Sequence, residues 1–120
     1  LWYYAEVPHK ARVWRDRPAT HVPEWLGKGR KPTLRSKVEV HYRGLLLNGV
    51  VFDTSYNNDE PVEFPLRQVI DGWIEGIQLM PEGSVFVFKI PPELAYGKRG
   101  AGVIPPDATL IFEIELYDSR

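Results

Sequence analysis

Val69-Ile-Asp-Gly-Trp-Ile-Glu-Gly-Ile-Gln-Leu79 is the one stretch of this chain with a helical apolar period. Ile70, Trp73, Ile74 and Ile77 recur at spacings of three and four, which gathers them on one face of a helix over residues 70–79. The flanking segments read as strand or turn. A lone short helix with a broad apolar face must bury that face, and a surrounding sheet is the surface available. Trp73 is the largest side chain on the face, and its indole is expected to reach the concave side of the sheet. Taken alone, such a tryptophan is more often core filler than a ligand contact.

Outward from the helix the pattern changes to period two. Lys37–Leu47 alternates, with Val38, Val40 and Tyr42 on one face and Glu39, His41 and Arg43 on the other, as a half-buried strand does. Asn48-Gly49 is a strong hairpin signal, and Val50–Phe52 returns as the partner strand. A polar excursion over 53–61 leads to a short strand at Val62–Leu66. After the helix, Pro81-Glu-Gly83 stops it. Ser84–Ile90 is apolar on both faces and reads as a central strand. Pro91–Pro106 is a long loop, the kind that is usually functional in a compact domain. Thr109–Tyr117 closes the chain with Leu110, Phe112, Ile114 and Leu116 pointing one way. The expected fold is α+β, an antiparallel sheet wrapped over one helix.

Residues 1–19 are aromatic and basic, with Trp2, Tyr3, Tyr4, Trp14, Arg15 and Arg17 and no clear period. We read them as an N-terminal extension on a domain of residues 20–120, lying on the domain or on a partner and dispensable for the fold. Thr20–Leu26 is a candidate edge strand, because Pro23 cannot donate to a central ladder. Gly27-Lys-Gly29 then turns the chain.

The 120 residues suffice for one domain with a real core. The net charge of −1 is uneven: ten Lys and Arg against four acids in residues 1–43, five against twelve in residues 44–120. The basic residues lack a helical period and are interrupted by Pro8, Pro18, Pro23 and Pro32, so they read as a solvated tail and no nucleic-acid partner is expected. The absence of cysteine excludes disulfides and thiol catalysis. No apolar run is long enough to span a membrane. The chain begins at Leu1; the cytoplasm is the favoured compartment, with the secretory pathway or cell surface open if a signal segment precedes it.

His9, His21 and His41 have no metal-binding spacing, so no metal site is expected. No serine stands in a nucleophile elbow, and the glycine-rich runs at 27–31 and 97–102 match no phosphate-binding pattern. What remains is aromatic. Tyr42, Phe52, Phe64, Trp73, Tyr96 and Phe112 can line one apolar cleft if the sheet curves around Trp73, with Asp53 at its rim. Such a cleft suits a small ligand or an apolar peptide better than hydrolysis, which needs a nucleophile or activated water.

Five motifs now combine: Val40-His-Tyr-Arg-Gly44, Gly49-Val-Val-Phe-Asp-Thr-Ser55, Val69-Ile-Asp-Gly-Trp-Ile-Glu-Gly76, Ala95-Tyr-Gly97 and Ile104-Pro-Pro-Asp-Ala-Thr-Leu-Ile-Phe-Glu-Ile-Glu-Leu116. In order and spacing they resemble the FK506-binding-protein (FKBP) type of peptidyl-prolyl cis-trans isomerase. Ile90-Pro-Pro-Glu-Leu-Ala-Tyr-Gly-Lys98 looks closest to the macrophage infectivity potentiator-like members. The resemblance covers about residues 20–120.

It implies a half-barrel of five or six antiparallel strands around one short helix, with a pocket between them. By motif position, Tyr42, Phe52 and Phe112 would surround a bound carbonyl and Trp73 would lie under the proline ring. Val69 and Ile70 would flank the helix entrance, with the Ile70 N–H as a donor, and Tyr96 would offer its hydroxyl. Asp53 would be the polar rim group, Phe64 a side wall, and Val103 with Ile104 the flap. Val62 stands where the family often has an aromatic residue, which would widen that edge. The implied partners are proline-containing peptides, folding proteins and macrolides of the FK506 or rapamycin type. No cofactor is implied, and a monomer is expected. A second reading is a non-catalytic module that keeps the pocket to hold a partner.

Overall fold

The computed structural model describes residues 1–5, 15–16 and 30–120. Strand β3 (Lys37–Leu46) is the spine. Its alternation buries Val38 and Val40 completely, and it pairs antiparallel with β7 (Leu110–Ser119) from Val38↔Ser119 to Leu46↔Leu110. On β7 the same alternation buries Leu110, Phe112, Ile114 and Leu116. The far edge of β3 is shared. β5 (Val62–Pro65) takes Lys37–Val40 and β4 (Val51–Thr54) takes Arg43–Leu45. Opposite Glu39/Val40 and Gly44/Leu45 the register shifts leave Tyr117 of β7 and Phe52 of β4 as extra residues, bulges that bend those strands.

On the other side, β6 (Val85–Ile90) pairs with β7, which makes β7 central. β1 (Trp2–Ala5) pairs with β6, and β2 (Arg15–Asp16) pairs with β1. Among the described residues the sheet has seven strands, all pairings antiparallel, with one α-helix lying on its concave face. This is the α+β half-barrel the sequence implied, with β1 and β2 added at one edge.

Helix α1 covers Asp71–Ile77, shorter than the expected 70–79. A 3₁₀ turn at Leu66–Gln68 delivers the chain to it, and Ile70, still extended, occupies its N-cap. The buried face differs from the one the apolar spacing indicated. Trp73 and Ile77 are buried as expected, but Ile70 and Ile74 are only half-buried. The closest contacts come from Gly72 and Gly76. A Cβ at Gly72 would stand 2.5 Å from Ile90 Cγ2, and one at Gly76 would stand 2.6 Å from Phe88 Cε1. Two glycines four apart let the helix backbone settle on the β6 side chains.

The aromatic strip at the N-terminus requires a correction. Its first residues are part of the sheet: Tyr3 is 2 % exposed, stacks on Phe86 at 5.5 Å and 3°, and lies tilted against Phe88. A boundary at residue 20 separates this strand from the core it covers. β6 has strand partners on both edges, β1 and β7. The expected strand at Thr20–Leu26 and the turn at Gly27–Gly29 lie outside the described residues. Residue 30 is tied to the domain. The Glu82 carboxylate accepts from the backbone N–H groups of Arg30 (3.1 Å) and Ser119 (2.8 Å), and the Arg30 guanidinium donates to the Ser119 carbonyl (2.8 Å).

Among the described residues no helix is long and apolar enough to cross a membrane. No group of three or more His, Cys, Asp or Glu side chains among them is placed to hold a metal ion.

Candidate active site

Between the entrance of α1 and the concave face of the sheet lies a cleft of about 370 Å³. Trp73 comes from the first turn of the helix and is 5 % exposed. Three rings meet it nearly at right angles: Tyr42 at 5.0 Å and 79°, Phe112 at 5.3 Å and 90°, and Phe64 at 5.8 Å and 87°. Phe52 meets Phe112 in the same way at 5.5 Å and 89°. Perpendicular pairs at these distances add about 0.5–1.5 kcal/mol each beyond the area they bury, so the ring planes are mutually fixed. The Trp73 Nε1–H is buried without a hydrogen-bond partner among the described residues.

The walls come from four strands, the helix entrance and a loop. Tyr42 sits on β3, Phe52 and Asp53 on β4, Phe64 on β5 and Phe112 on β7. Gly44 makes the Phe52–Phe112 contact possible, since a Cβ there would stand 2.7 Å from Phe52 Cζ and 2.8 Å from Phe112 Cε1. Val69 and Ile70 line the helix entrance, and Tyr96 closes the cleft from the long loop after β6.

The polar groups sit at the rim. The Tyr42 hydroxyl donates to Asp53 Oδ2 at 2.7 Å. Burial, then the Asp53 hydrogen bond and charge, pushes the Tyr42 hydroxyl well above its ordinary pKa. Burial and the same carboxylate raise Tyr96. Both phenols therefore stay protonated across the neutral range. Tyr42 is committed to Asp53, whereas the Tyr96 hydroxyl has no partner among the described residues.

Behind Tyr42 a second set of contacts holds its strand to β4. The Tyr42 N–H donates to Ser55 Oγ at 2.7 Å, and His41 Nδ1 lies 2.9 Å from the same oxygen. His41 was expected on a solvent face. It is 7 % exposed because Tyr56, in the excursion after β4, stacks on its ring at 4.7 Å.

The sequence-named side chains separate into two groups. Tyr42, Phe52, Asp53, Phe64, Val69, Ile70, Trp73, Tyr96 and Phe112 share the cleft. Val62, Val103 and Ile104 are elsewhere. Val62 faces the same side as Phe64, but its side chain is too short to reach the cleft and packs against the core. A bridge between Ala101 and Ile104 turns Val103 outward, 72 % exposed, and Ile104 inward, 7 % exposed. Gln68 lines the cleft and was missed. It stands in the 3₁₀ turn, outside the helical period, where residue type carries no signal.

The lining holds no Ser, Thr, Cys, His or Lys to act as a nucleophile. The arrangement can seat a flat apolar ring over an indole and hold carbonyls through phenol and backbone donors.

Comparison with known proteins bears on which family this is. The family model described as FKBP-type peptidyl-prolyl cis-trans isomerase matches residues 28–117. The chain is 54 % identical over 93 residues to the FKBP-type peptidyl-prolyl cis-trans isomerase FkpA of Aeromonas hydrophila, covering 78 % of this chain and 35 % of that protein. It is 48 % identical over 95 residues to the peptidyl-prolyl cis-trans isomerase Mip of Coxiella burnetii, covering 78 % of this chain and 41 % of Mip. The crystal structure of FkpA from Escherichia coli superposes with a TM-score of 0.76 at 47 % identity, over 78 % of this chain and 44 % of that one. The chain thus spans less than half the length of these relatives. Fold, motif order and the matched model agree, and the chain belongs to the FKBP-type peptidyl-prolyl cis-trans isomerase family.

Proposed function

We propose that the cleft accelerates cis-trans rotation about X-Pro bonds in peptides and folding proteins. The observation that carries this reading is Trp73, boxed by perpendicular rings at the bottom of a cleft whose lining holds no Ser, Thr, Cys, His or Lys. The barrier to amide rotation, about 18–20 kcal/mol, is the loss of C–N double-bond character. X-Pro bonds cross it in tens to hundreds of seconds without help. A twisted amide is less dipolar than a planar one and needs less solvation, so an apolar cleft favours it over the ground state. The Tyr96 hydroxyl and the Ile70 N–H hold the flanking carbonyls as the chain turns. Asp53 orients Tyr42 and contributes negative potential at the rim. Each ~1.4 kcal/mol of preference for the twisted form gives a factor of ten in rate. No proton or covalent transfer is required.

One copy of the chain supplies every wall of this cleft, so a monomer suffices. FK506- and rapamycin-type macrolides, which present an apolar ring beside carbonyls, are expected to compete for it. The test is an exchange or protease-coupled assay on Leu-Pro and Phe-Pro peptides with a macrolide added. Acceleration suppressed by the macrolide supports the reading. Peptide binding without acceleration at micromolar protein would make the chain a holding module.

A further inference from the structure

A second cleft, of about 350 Å³, opens beside the first. One wall is the β3–β4 hairpin, with Leu46, Leu47 and Asn48, and the other is the segment 105–109. The lining is mostly apolar, from Leu46, Leu47, Pro105, Pro106 and Ala108, and Asp107 is its one charged residue. Leu47 is 67 % exposed at the mouth. Asn48 Oδ1 already accepts the Val50 N–H at 3.0 Å, which fixes the hairpin tip.

The two clefts are joined in two places. The Asp107 N–H donates to the Gly97 carbonyl at 2.9 Å, so the residue after Tyr96 is attached to the wall of the second cleft. Phe112 of the first cleft stands opposite Gly44, and two residues earlier on β7 Leu110 stands opposite Leu46 of the second. A strand advances about 3.4 Å per residue, which puts these walls ~7 Å apart. An extended peptide leaving the first cleft crosses that distance in two or three residues.

We propose that the second cleft is an extended subsite of the first. It receives an apolar side chain of the leucine, methionine or phenylalanine class, two to four residues from the proline held over Trp73. Asp107 disfavours a carboxylate there. This inference rests on the proline reading of the first cleft and adds to it a preference for residues distant from the reacting bond.

The test uses octapeptides with a central Leu-Pro and a single Leu, Asn or Glu placed two, three or four residues before or after the proline. Leu at one of these positions should raise kcat/KM about fivefold over Asn, as partial burial of one leucine does, and Glu should fall below Asn. Leu47→Asn, at a position exposed enough for the fold to tolerate it, should bring the Leu-to-Asn ratio close to one. Amide shifts at Asn48 and Thr109 should accompany binding of the Leu peptide. Turnover with a ratio near one at every position, or a ratio unchanged in Leu47→Asn, refutes the subsite alone. No turnover on any peptide refutes the proline reading and the subsite with it.

Discussion

Gly44→Ala is the substitution whose effect the structure defines most sharply. The added methyl would lie 2.7 Å from Phe52 Cζ and 2.8 Å from Phe112 Cε1. Carbon atoms in ordinary contact stand about 3.5–4.0 Å apart, so each ring must move by ~1 Å. Phe112 is 3 % exposed and backed by the core, which leaves the cleft as the direction open to both rings. Overpacking of this kind costs ~1–3 kcal/mol. Alanine in a strand recovers ~0.5–1 kcal/mol of chain entropy relative to glycine, for a net loss of ~1–2 kcal/mol. Activity should fall further than stability, since displacing catalytic walls by ~1 Å can cost ~100-fold. The expected outcome is a melting point lower by ~4–8 °C and a kcat/KM on Leu-Pro peptides down ~10- to 100-fold. Trimming the ring in Gly44→Ala/Phe52→Leu should make the paired loss smaller than the sum of the single losses. An unshifted melt with full activity in Gly44→Ala would show that the rings are not held where the structure puts them.

Tyr42 and Tyr96 have folded-state pKa values above the unfolded one, so their contribution to stability is constant below about pH 10 and is lost as pH rises beyond it. Urea melts should be flat in this respect from pH 7 to 9 and decline above pH 10, less steeply in Tyr42→Phe; an equal decline in both proteins would remove Tyr42 as the cause. Asp53→Asn should lower kcat/KM by ~2- to 10-fold through the weakened Tyr42 hydrogen bond, with no change in pH profile. An acid-side break in the native enzyme that the substitution abolishes would make Asp53 a base instead. Tyr3→Ala should cost ~2–4 kcal/mol in urea, and a chain starting at Thr20 at least as much, because the stacked ring and its strand leave Phe86 and Phe88 uncovered. If either protein melts like the parent, residues 1–19 are an appendage after all.

The long strands were legible because one buried face imposes a strict period: Val38 and Val40 on β3, and Leu110 to Leu116 on β7, follow alternation residue by residue. Trp73 and its ring neighbours were legible because few roles need so many aromatics on converging elements. The helix face was misread at Ile70 and Ile74, since periodicity weighs large apolar residues and is blind to close approach by Gly72 and Gly76. Tyr3 was missed because a four-residue edge strand is too short to show a period, and its partner lies more than eighty residues away. Val103 and Ile104 were paired as a flap by motif position, whereas one backbone bridge sends them to opposite sides.

The central place of β7 has a consequence for how the chain is made. Synthesis delivers β3 early and β6 much later, and neither pairs with the other. Their common neighbour is Leu110–Ser119, the last of the described strands of this sheet in chain order. Until it is translated, Val38 and Val40 have no strand on their inner edge, and Phe86 and Phe88 have a partner only in β1. Cotranslational intermediates are therefore half-sheets with open edges and an unroofed helix. Closure waits on pairings of high contact order, which form slowly. A chain that we propose hastens the folding of others depends, for closing its own sheet, on the strand of that sheet that comes latest in order.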